Sequence, residues 1–538
     1  MMDTAGLNKN RANYVPLSPV SFLLRTARAY PQRTAIIYGR RRLSWSALYS
    51  RCARMAASLA KRGIQKGDVV SFVAANTPEL VEAHFAVPMA GAVLNAVNVR
   101  LDIDTMRHIF EHGEAKMVFV DGEFSAKVGA AVAKMKKPPV VIDIPDDENG
   151  ICENIGACDY ETLLAESGGE ELCIMPDNEW QPITLNYTSG TTGKPKGVVY
   201  HHRGAYLMAM GSIPAWDMQK HGVYIYSVPM FHCNGWGYAW TQTLLAGTIV
   251  CLRKVDGGDI LRLIQEHKAD SLGGAPVVLA MLAEAVKNIK GGKLPHAVKV
   301  MTAGAPPPPA VLAAVEEAGF SVTHVYGLTE TFGHTTICAH QEEWESLPPD
   351  ERAQMQAQQG VGYPILQDWA VLDSHGNPLP ADGKSMGEIA LRGNTIMRGY
   401  LKDPQATAAA FCGEWFLSGD LAVMHPSGYL QIKDRLKDVI ISGGENISSV
   451  AVEAALCAHP SVLLAAVVAK PDDKWGETPC AFVELRRGAE ASAEELMKFC
   501  RAKLAGYMRP RYVIFGELPK TATGKIQKYQ LRERAKTL

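Results

Sequence analysis

The densest chemistry in the chain lies in residues 187–197, YTSGTTGKPKG. They hold three glycines, two lysines and five hydroxyl side chains, tyrosine included. Glycines let backbone N–H groups approach an anion closely, hydroxyls add donors, and lysines add positive charge. The spacing is not that of a Walker A loop. That loop needs four residues between its glycines and a Ser or Thr after the lysine. Here Thr191 and Thr192 separate Gly190 from Gly193, and Pro195 follows Lys194. A phosphate-rich ligand is expected, held by something other than a P-loop.

Four further runs set a charged side chain beside glycines or hydroxyls. Residues 326–330 read YGLTE, 415–420 WFLSGD, 434–445 DRLKDVIISGGE and 520–525 KTATGK. Residues 229–236, PMFHCNGW, bring an imidazole and an indole close together.

Such residues need strand ends and turns to position them, and the pattern supplies both. Much of the first 430 residues alternates short apolar strands with amphipathic helices. Ser271 and Leu272 close a short strand, Pro276 suits a helix start, and residues 277–287 carry a helical pattern. Residues 298–302 are strand-like, AGAPPPP is a turn, and Pro309 leads into a helix ending near Ala318. Gly319 fits a helix C′ position before a strand over 320–325. Strand–helix–strand repetition argues for α/β layers with largely parallel sheets and ligands at strand ends. The character changes at 428–445. The last hundred or so residues read as a small α+β unit with strands over 464–469 and 481–485 and a helix from Ala493 to about Leu504. Ser492 and Glu495 form a capping-box pattern at its start. A domain boundary is expected at 434–438.

Bulk properties narrow the class. The chain has 538 residues, a soft prior of three to four folding units at about 150 residues each. Apolar content of 47% and charged content of 21% suit a globular enzyme, and a net charge of −1 gives no field favouring nucleic acid. The eleven cysteines show no metal-like spacing and suit a reducing compartment. Apolar runs fall short of a membrane span, the N-terminal residues lack an apolar core, and the terminal KTL is not a peroxisomal SKL. A cytoplasmic protein is expected. The strand–GxGxxG–helix unit of a dinucleotide oxidoreductase is missing.

Together and in this order, the motifs resemble the adenylate-forming enzymes, the superfamily of acyl-CoA synthetases, luciferases and peptide-synthetase adenylation domains. The resemblance runs from about Phe22 to Arg534. It implies an α/β fold with a large N-terminal domain of layered α/β sheets plus a β-barrel-like subdomain (1–434), a hinge (435–438) and a small mobile α+β C-terminal domain (439–538). It implies ATP, Mg²⁺ and coenzyme A as cofactor and co-substrates. It also implies a two-step reaction: a carboxylate attacks the α-phosphorus of ATP to give acyl-AMP, then a thiol takes the acyl group.

Site residues follow by the same resemblance. Thr188, Ser189, Gly190, Thr191, Thr192 and Lys196 match the loop around the β- and γ-phosphates, and Thr188 and Glu330 are expected at the metal. Gly304, Ala305 and Pro306 match the turn on one adenine face, with Tyr326 on the other and Gly327 and Thr329 beside it. Asp420 matches the acid that accepts the ribose hydroxyls, and Arg435 the arginine that supports the ribose. Lys525 matches the adenylation catalyst, Lys437 the hinge residue, and Gly443, Gly444 and Glu445 the pantetheine tunnel. His232 matches a gating residue, and Trp236, Ala303 and Gly304 the acyl pocket.

A bulky indole in the pocket wall favours a short or narrow acid. The segment lacks the acid that amino-acid-activating domains use to hold an α-ammonium. The pattern is most similar to bacterial short- and medium-chain acyl-CoA synthetases, among them 3-methylmercaptopropionate–CoA ligases. Around Ile441 it has ISGGEN, where 4-coumarate ligases and luciferases tend to carry a lysine. The alternatives are transfer to a carrier-protein thiol and an acyl-adenylate-binding protein without turnover. A homodimer is expected.

Overall fold

A computed structural model describes residues 2 and 6–538 except 152, 189–194, 290, 305–308 and 521–525. Expectations for Ser189, Gly190, Thr191, Thr192, Ala305, Pro306 and Lys525 therefore lie outside the described residues.

Two large sheets organise the first 400 residues. One has an all-parallel core in which Thr34–Tyr38, Thr248–Cys251, Val223–Tyr226, Ser271–Gly274, Val298–Thr302 and Phe320–Leu328 lie side by side. Gly333–Ile337 then folds back antiparallel on Phe320–Leu328. The second sheet runs parallel through Val93–Ala96, Val69–Val73, Ala115–Asp121 and Val140–Ile144. On its other side lies the hairpin of Pro182–Thr188 and Lys196–His201. Buried Val, Ile and Leu on both faces of these strands are what helix-covered parallel sheets require.

Local expectations hold closely in the central crossover. Pro276 occupies the first turn of helix Pro276–Ala285, Val298–Thr302 is a strand, and Gly319 has φ of +103° after helix Pro309–Glu317. One expectation is corrected. Ser271 opens its strand rather than closing it, because Gly273 and Gly274 continue the strand instead of turning. They are strand residues for a packing reason. A Cβ on Gly273 would meet Val228 at 2.8 Å, and one on Gly274 would meet Val278 at 2.7 Å.

The subdomain expected to be barrel-like is, among the described residues, a five-stranded antiparallel sheet. It is built from Leu366–Leu372, Gly387–Gly393, Phe411–Cys412, Trp415–Met424 and Leu430–Arg435. No ladder among the described residues joins its outer strands, so it is open.

After residue 438 the chain builds a separate sheet from Ile440–Ser442, Glu445–Ile447, Val462–Asp472, Gly476–Leu485 and Tyr512–Phe515. Helices Ser449–Cys457, Ala493–Arg501 and Lys528–Lys536 accompany it. The capping box at Ser492 and Glu495 is present, and helical turn bonds continue past Arg501 to Leu504. The unit has its own apolar core around Ile440, Val467 and Val483.

Candidate active site

Gly274, Thr302 and His324 stand level across the parallel strands, Phe320–Leu328 runs on beyond them, and the expected nucleotide residues lie past that level. Ligands are expected at such carboxyl ends. Ala303 and Gly304 follow Thr302 directly, with Gly304 exposed at φ of +94°. Gly327 passes so close to the Gly333 carbonyl that an added Cβ would lie 1.5 Å from it.

Segment 326–330 anchors two polar chains. At its start, the Tyr326 hydroxyl donates to Asp420 Oδ2 at 2.7 Å, and Arg435 Nε faces Asp420 Oδ1 at 3.3 Å. Asp420 is 4% exposed. Register explains the pair, since Asp420 lies opposite Arg435 in adjacent antiparallel strands. Burial and the Asp420 carboxylate push the Tyr326 phenol well above its ordinary range, so it stays a donor. A carboxylate offers about four lone-pair positions, so Asp420 can accept further hydroxyls.

At the end of the segment, Glu330 Oε1 accepts from the Tyr400 hydroxyl at 2.9 Å. Lys196 Nζ lies 4.7 Å from the centre of the same Tyr400 ring. Lys196 pairs with Thr188 across the hairpin, so this ladder brackets the segment expected to hold phosphates. Burial first, then Glu330, hold Tyr400 above the usual phenol range. Tyr400 was not legible as a site residue. It sits in a two-residue strand, Gly399–Tyr400, paired with Lys196–His201, and nothing in its local sequence announces that pairing. Between the chains, the Thr329 carbonyl accepts from Tyr200 at 2.5 Å, and its hydroxyl lies 3.5 Å from Cys233 Sγ.

The side expected to hold the acid is built differently. Residues Cys233, Asn234, Gly235, Trp236 and Gly237 have successive φ values of 44, 43, 54, 60 and 76°, a left-handed turn. Three of them carry side chains, and left-handed geometry costs such residues about 1–2 kcal/mol each. Buried hydrogen bonds hold it. Asn186 Nδ2 donates to Asn234 Oδ1 at 2.7 Å, and the Tyr226 hydroxyl donates to the Gly235 carbonyl at 3.1 Å. Asn234 Nδ2 lies 3.5 Å from His84 Nε2. Burial brings His84 down to about 4, so the ring is neutral. Its Nδ1 is 2.7 Å from the Leu80 carbonyl and must donate there, which leaves Nε2 to accept from Asn234. Trp236 is thereby buried edge-on to His334, with ring centres 5.5 Å apart. His232 is exposed, its Nε2 4.0 Å from Cys233 Sγ. The asparagines and His84 were missed, because each reads alone as an ordinary core polar residue.

Lys437 sits in the turn between Leu430–Arg435 of the antiparallel sheet and Ile440–Ser442 of the last sheet. The Asp438 and Val439 amides donate to the Arg435 carbonyl there. Partial burial, with the Arg435 guanidinium adding to it, brings the Lys437 ammonium down to about 8. Across the junction, Asp434 accepts from the Ser449 amide and hydroxyl, and Arg532 pairs with Asp438. Gly443 and Gly444 form the two-residue turn of the hairpin between Ile440–Ser442 and Glu445–Ile447, so Glu445 follows the turn opposite Ser442.

Family comparison matches residues 23–401 to the AMP-binding enzymes and 451–525 to the AMP-binding enzyme C-terminal domain. The chain belongs to the AMP-binding enzyme family. Its fold, a large α/β part with a small C-terminal unit, is thus the one the resemblance implies. A peroxisomal acetate/butyrate–CoA ligase of Arabidopsis thaliana is 47% identical over all of this chain and 97% of its own length. A 2-methylpropanoate–CoA ligase of Humulus lupulus is 46% identical over 98% and 97%. Among solved structures, ATP-bound MatB from Rhodopseudomonas palustris aligns with a TM-score of 0.83 at 25% identity, covering 96% of this chain and 99% of its own. O-succinylbenzoate coenzyme A synthetase from Bacillus subtilis, in complex with ATP and magnesium ion, aligns at 0.80 and 26%, covering 95% and 98%. Among the described residues, no helix of this AMP-binding enzyme is long and apolar enough to cross a membrane.

Proposed function

We propose that this AMP-binding enzyme is a short-chain acid–coenzyme A ligase that works through an acyl-AMP intermediate and releases AMP and pyrophosphate. The observation that carries the reading is the double use of segment 326–330. Its first residue belongs to the Tyr326–Asp420–Arg435 chain, and its last to the Glu330–Tyr400–Lys196 chain. Four residue steps span at most about 14 Å, a reach suited to a ribose at one end and a polyphosphate at the other.

In this reading Asp420 accepts ribose hydroxyls while Tyr326 and Arg435 hold its orientation. Lys196 faces the leaving pyrophosphate. Lys525 meets the α-phosphate and the attacking carboxylate, where aimed positive charge has the largest effect. Glu330 fits a magnesium ion as a single oxygen donor. Mg²⁺ commonly takes one or two carboxylates, with waters and substrate phosphates completing its shell. Thr188 offers a hydroxyl on the hairpin that carries Lys196. The ion would supply charge neutralisation at the phosphates.

The thiol step is assigned to a second orientation of the 439–538 unit, turned at Lys437, with Gly443, Gly444 and Glu445 lining the pantetheine path. Lys437→Pro should leave acyl-AMP formation intact and block thioester formation. Normal CoA turnover in that variant would remove the hinge assignment.

The relatives leave the acid open, since a trans-cinnamate–CoA ligase of Petunia hybrida is also 46% identical. The deciding experiment is kcat/KM for acetate, propionate, butyrate, hexanoate, octanoate, 3-methylmercaptopropionate, benzoate and cinnamate with CoA present. Short aliphatic acids should lead. Pyrophosphate release independent of any acid would overturn the ligase reading. The cytoplasm is the proposed compartment, supported by ten free cysteines among the described residues, and fractionation tests it. The homodimer stands as a proposal for light scattering.

A further inference from the structure

The hairpin of Pro182–Thr188 and Lys196–His201 is held from behind by a residue that lies outside all the sequence runs above. His112 closes helix Ile103–His112, and its Nδ1 lies 2.8 Å from the Tyr187 hydroxyl. The two rings meet edge to face with centres 5.8 Å apart. Tyr187 stands in the first strand of the hairpin, directly before Thr188. Two glycines seat its ring. A Cβ on Gly113 would lie 3.2 Å from the hydroxyl, and one on Gly197 would lie 3.2 Å from the ring. Backbone this close on both sides fixes the ring and aims the hydroxyl at His112.

The chemistry of the pair is defined. Burial pushes the Tyr187 phenol above its ordinary range, so it keeps its proton. Burial first, then His108 and Lys402, lower the His112 imidazole, so the ring is neutral. A protonated phenol facing a neutral ring donates to Nδ1 and leaves the ring proton on Nε2. A second tie starts from the same residue. Lys402 Nζ donates to the His112 carbonyl at 2.8 Å and pairs with Glu114 at 2.8 Å. The last carbonyls of a helix lack partners within it, and a cation suits that end. Lys402 follows Tyr400 by two residues, and the Leu401 amide between them donates to the Gly197 carbonyl at 2.7 Å. Tyr400 in turn touches Lys196 and donates to Glu330. One helix end thus reaches the hairpin on the Tyr187 side directly and on the Lys196 side through residues 400–402.

We propose that His112 is a positioning residue for the phosphates of ATP. It touches no substrate and acts through Tyr187 and Lys402. The hairpin's own ladder sets the spacing of Thr188 and Lys196. The helix end sets where that pair stands relative to Glu330, because the strip that leads to Lys402 also carries Glu330's partner Tyr400. Groups held in place before the ligand arrives need less ordering when it binds. The proposal rests on the ligase reading above, in which Thr188, Lys196 and Glu330 serve the phosphates and their metal ion.

The test titrates ATP into the full-length enzyme by calorimetry and measures KM for ATP and for butyrate with CoA present. His112→Leu keeps bulk but offers no acceptor, and ATP binding should weaken roughly 2- to 12-fold, the worth of one hydrogen bond. The KM for ATP should rise by the same factor, with the KM for butyrate and kcat at saturating ATP unmoved. Tyr187→Phe should do the same. The two changes together should cost no more than either alone, since both remove one bond. His112→Gln returns an acceptor and should recover most of the affinity. Lys402→Met, which takes the donor from the His112 carbonyl, should weaken ATP in the same direction. Unchanged ATP affinity in His112→Leu would overturn the proposal, as would an equal rise in both KM values. So would additive losses in the double variant, or a Gln variant as weak as the Leu one. Failure of the ligase reading looks different, for wild type would then release no pyrophosphate with any acid.

Discussion

The two sides of the candidate site, one proposed for the nucleotide and one for the acid, share one strand end but are built on opposite terms. On the nucleotide side the functional groups are tied to one another. Tyr326 and Arg435 both address Asp420, and Tyr400 links Glu330 to Lys196. On the acyl side the backbone is left-handed over five residues, and a buried imidazole nitrogen has no partner among the described residues. The contrast follows from what each side must do. ATP is the same in every turnover, so its contacts can be satisfied in advance by the protein. In the proposed reading the acid distinguishes one enzyme from its relatives, and its wall is held by remote hydrogen bonds.

If this division is right, damage on the nucleotide side should lower activity equally for all acids, and damage on the acyl side should change their ranking. The largest effect is expected at Lys525. Lys525→Ala should slow adenylation by at least ~10²–10³, about 3–4 kcal/mol, as for loss of one preorganised donor. Thioester formation from supplied acyl-AMP should survive. Equal loss in both half-reactions, measured by single-turnover assay, would refute the role. Asp420→Ala comes next. It strands the buried Tyr326 hydroxyl and the Arg435 guanidinium, and a lost buried partner costs about 1–3 kcal/mol. The KM for ATP should rise roughly 5- to 100-fold, by the same factor with every acid. A factor that depends on the acid would break the proposed separation of the two sides.

Trp236→Ala should act in the opposite manner. Removing the indole deepens the wall, and a pocket discriminates one methylene by roughly 10- to 200-fold. Preference should move towards hexanoate and octanoate by about that much, with the KM for ATP unmoved. An unchanged acid profile would take Trp236 out of the wall.

The same contrast governs what the sequence could reveal. Lys196, Glu330, Asp420 and Arg435 stand in short runs whose order alone implied an adenylate-forming enzyme, because each family motif is a contiguous stretch. The crossover from Pro276 to Phe320 was equally legible, since proline, glycine and apolar period mark its ends. What stayed hidden joins distant segments. Tyr400 reaches Glu330 across 70 residues, and Asn186 reaches Asn234 across 48. Gly273 and Gly274 lie past the strand end expected at Leu272, yet they continue the strand in close packing. The left-handed turn was hidden for a related reason: Cys, Asn and Trp adopt it only because Asn186, Tyr226 and His84 hold it.

That last point gives the smallest and most discriminating prediction. Asn234→Gly relieves the backbone cost at one left-handed residue, since glycine accepts this geometry freely. It also removes the side chain that Asn186 and His84 grip. If the turn needed only backbone tolerance, the variant would keep the wild-type acid profile and gain a little stability. If the side-chain grip places Trp236, the indole loses its fixed seat despite the relaxed backbone. The ratio of kcat/KM for butyrate over octanoate should then fall several-fold, while the KM for ATP and the rate of pyrophosphate release with saturating butyrate change little. Asn186→Ala, which leaves Asn234 in place but takes away its 2.7 Å donor, should lower the same ratio in the same direction. Agreement between the two variants would locate acid selection in the hydrogen bonds beneath the turn, and a butyrate-to-octanoate ratio unmoved in both would return it to the indole alone.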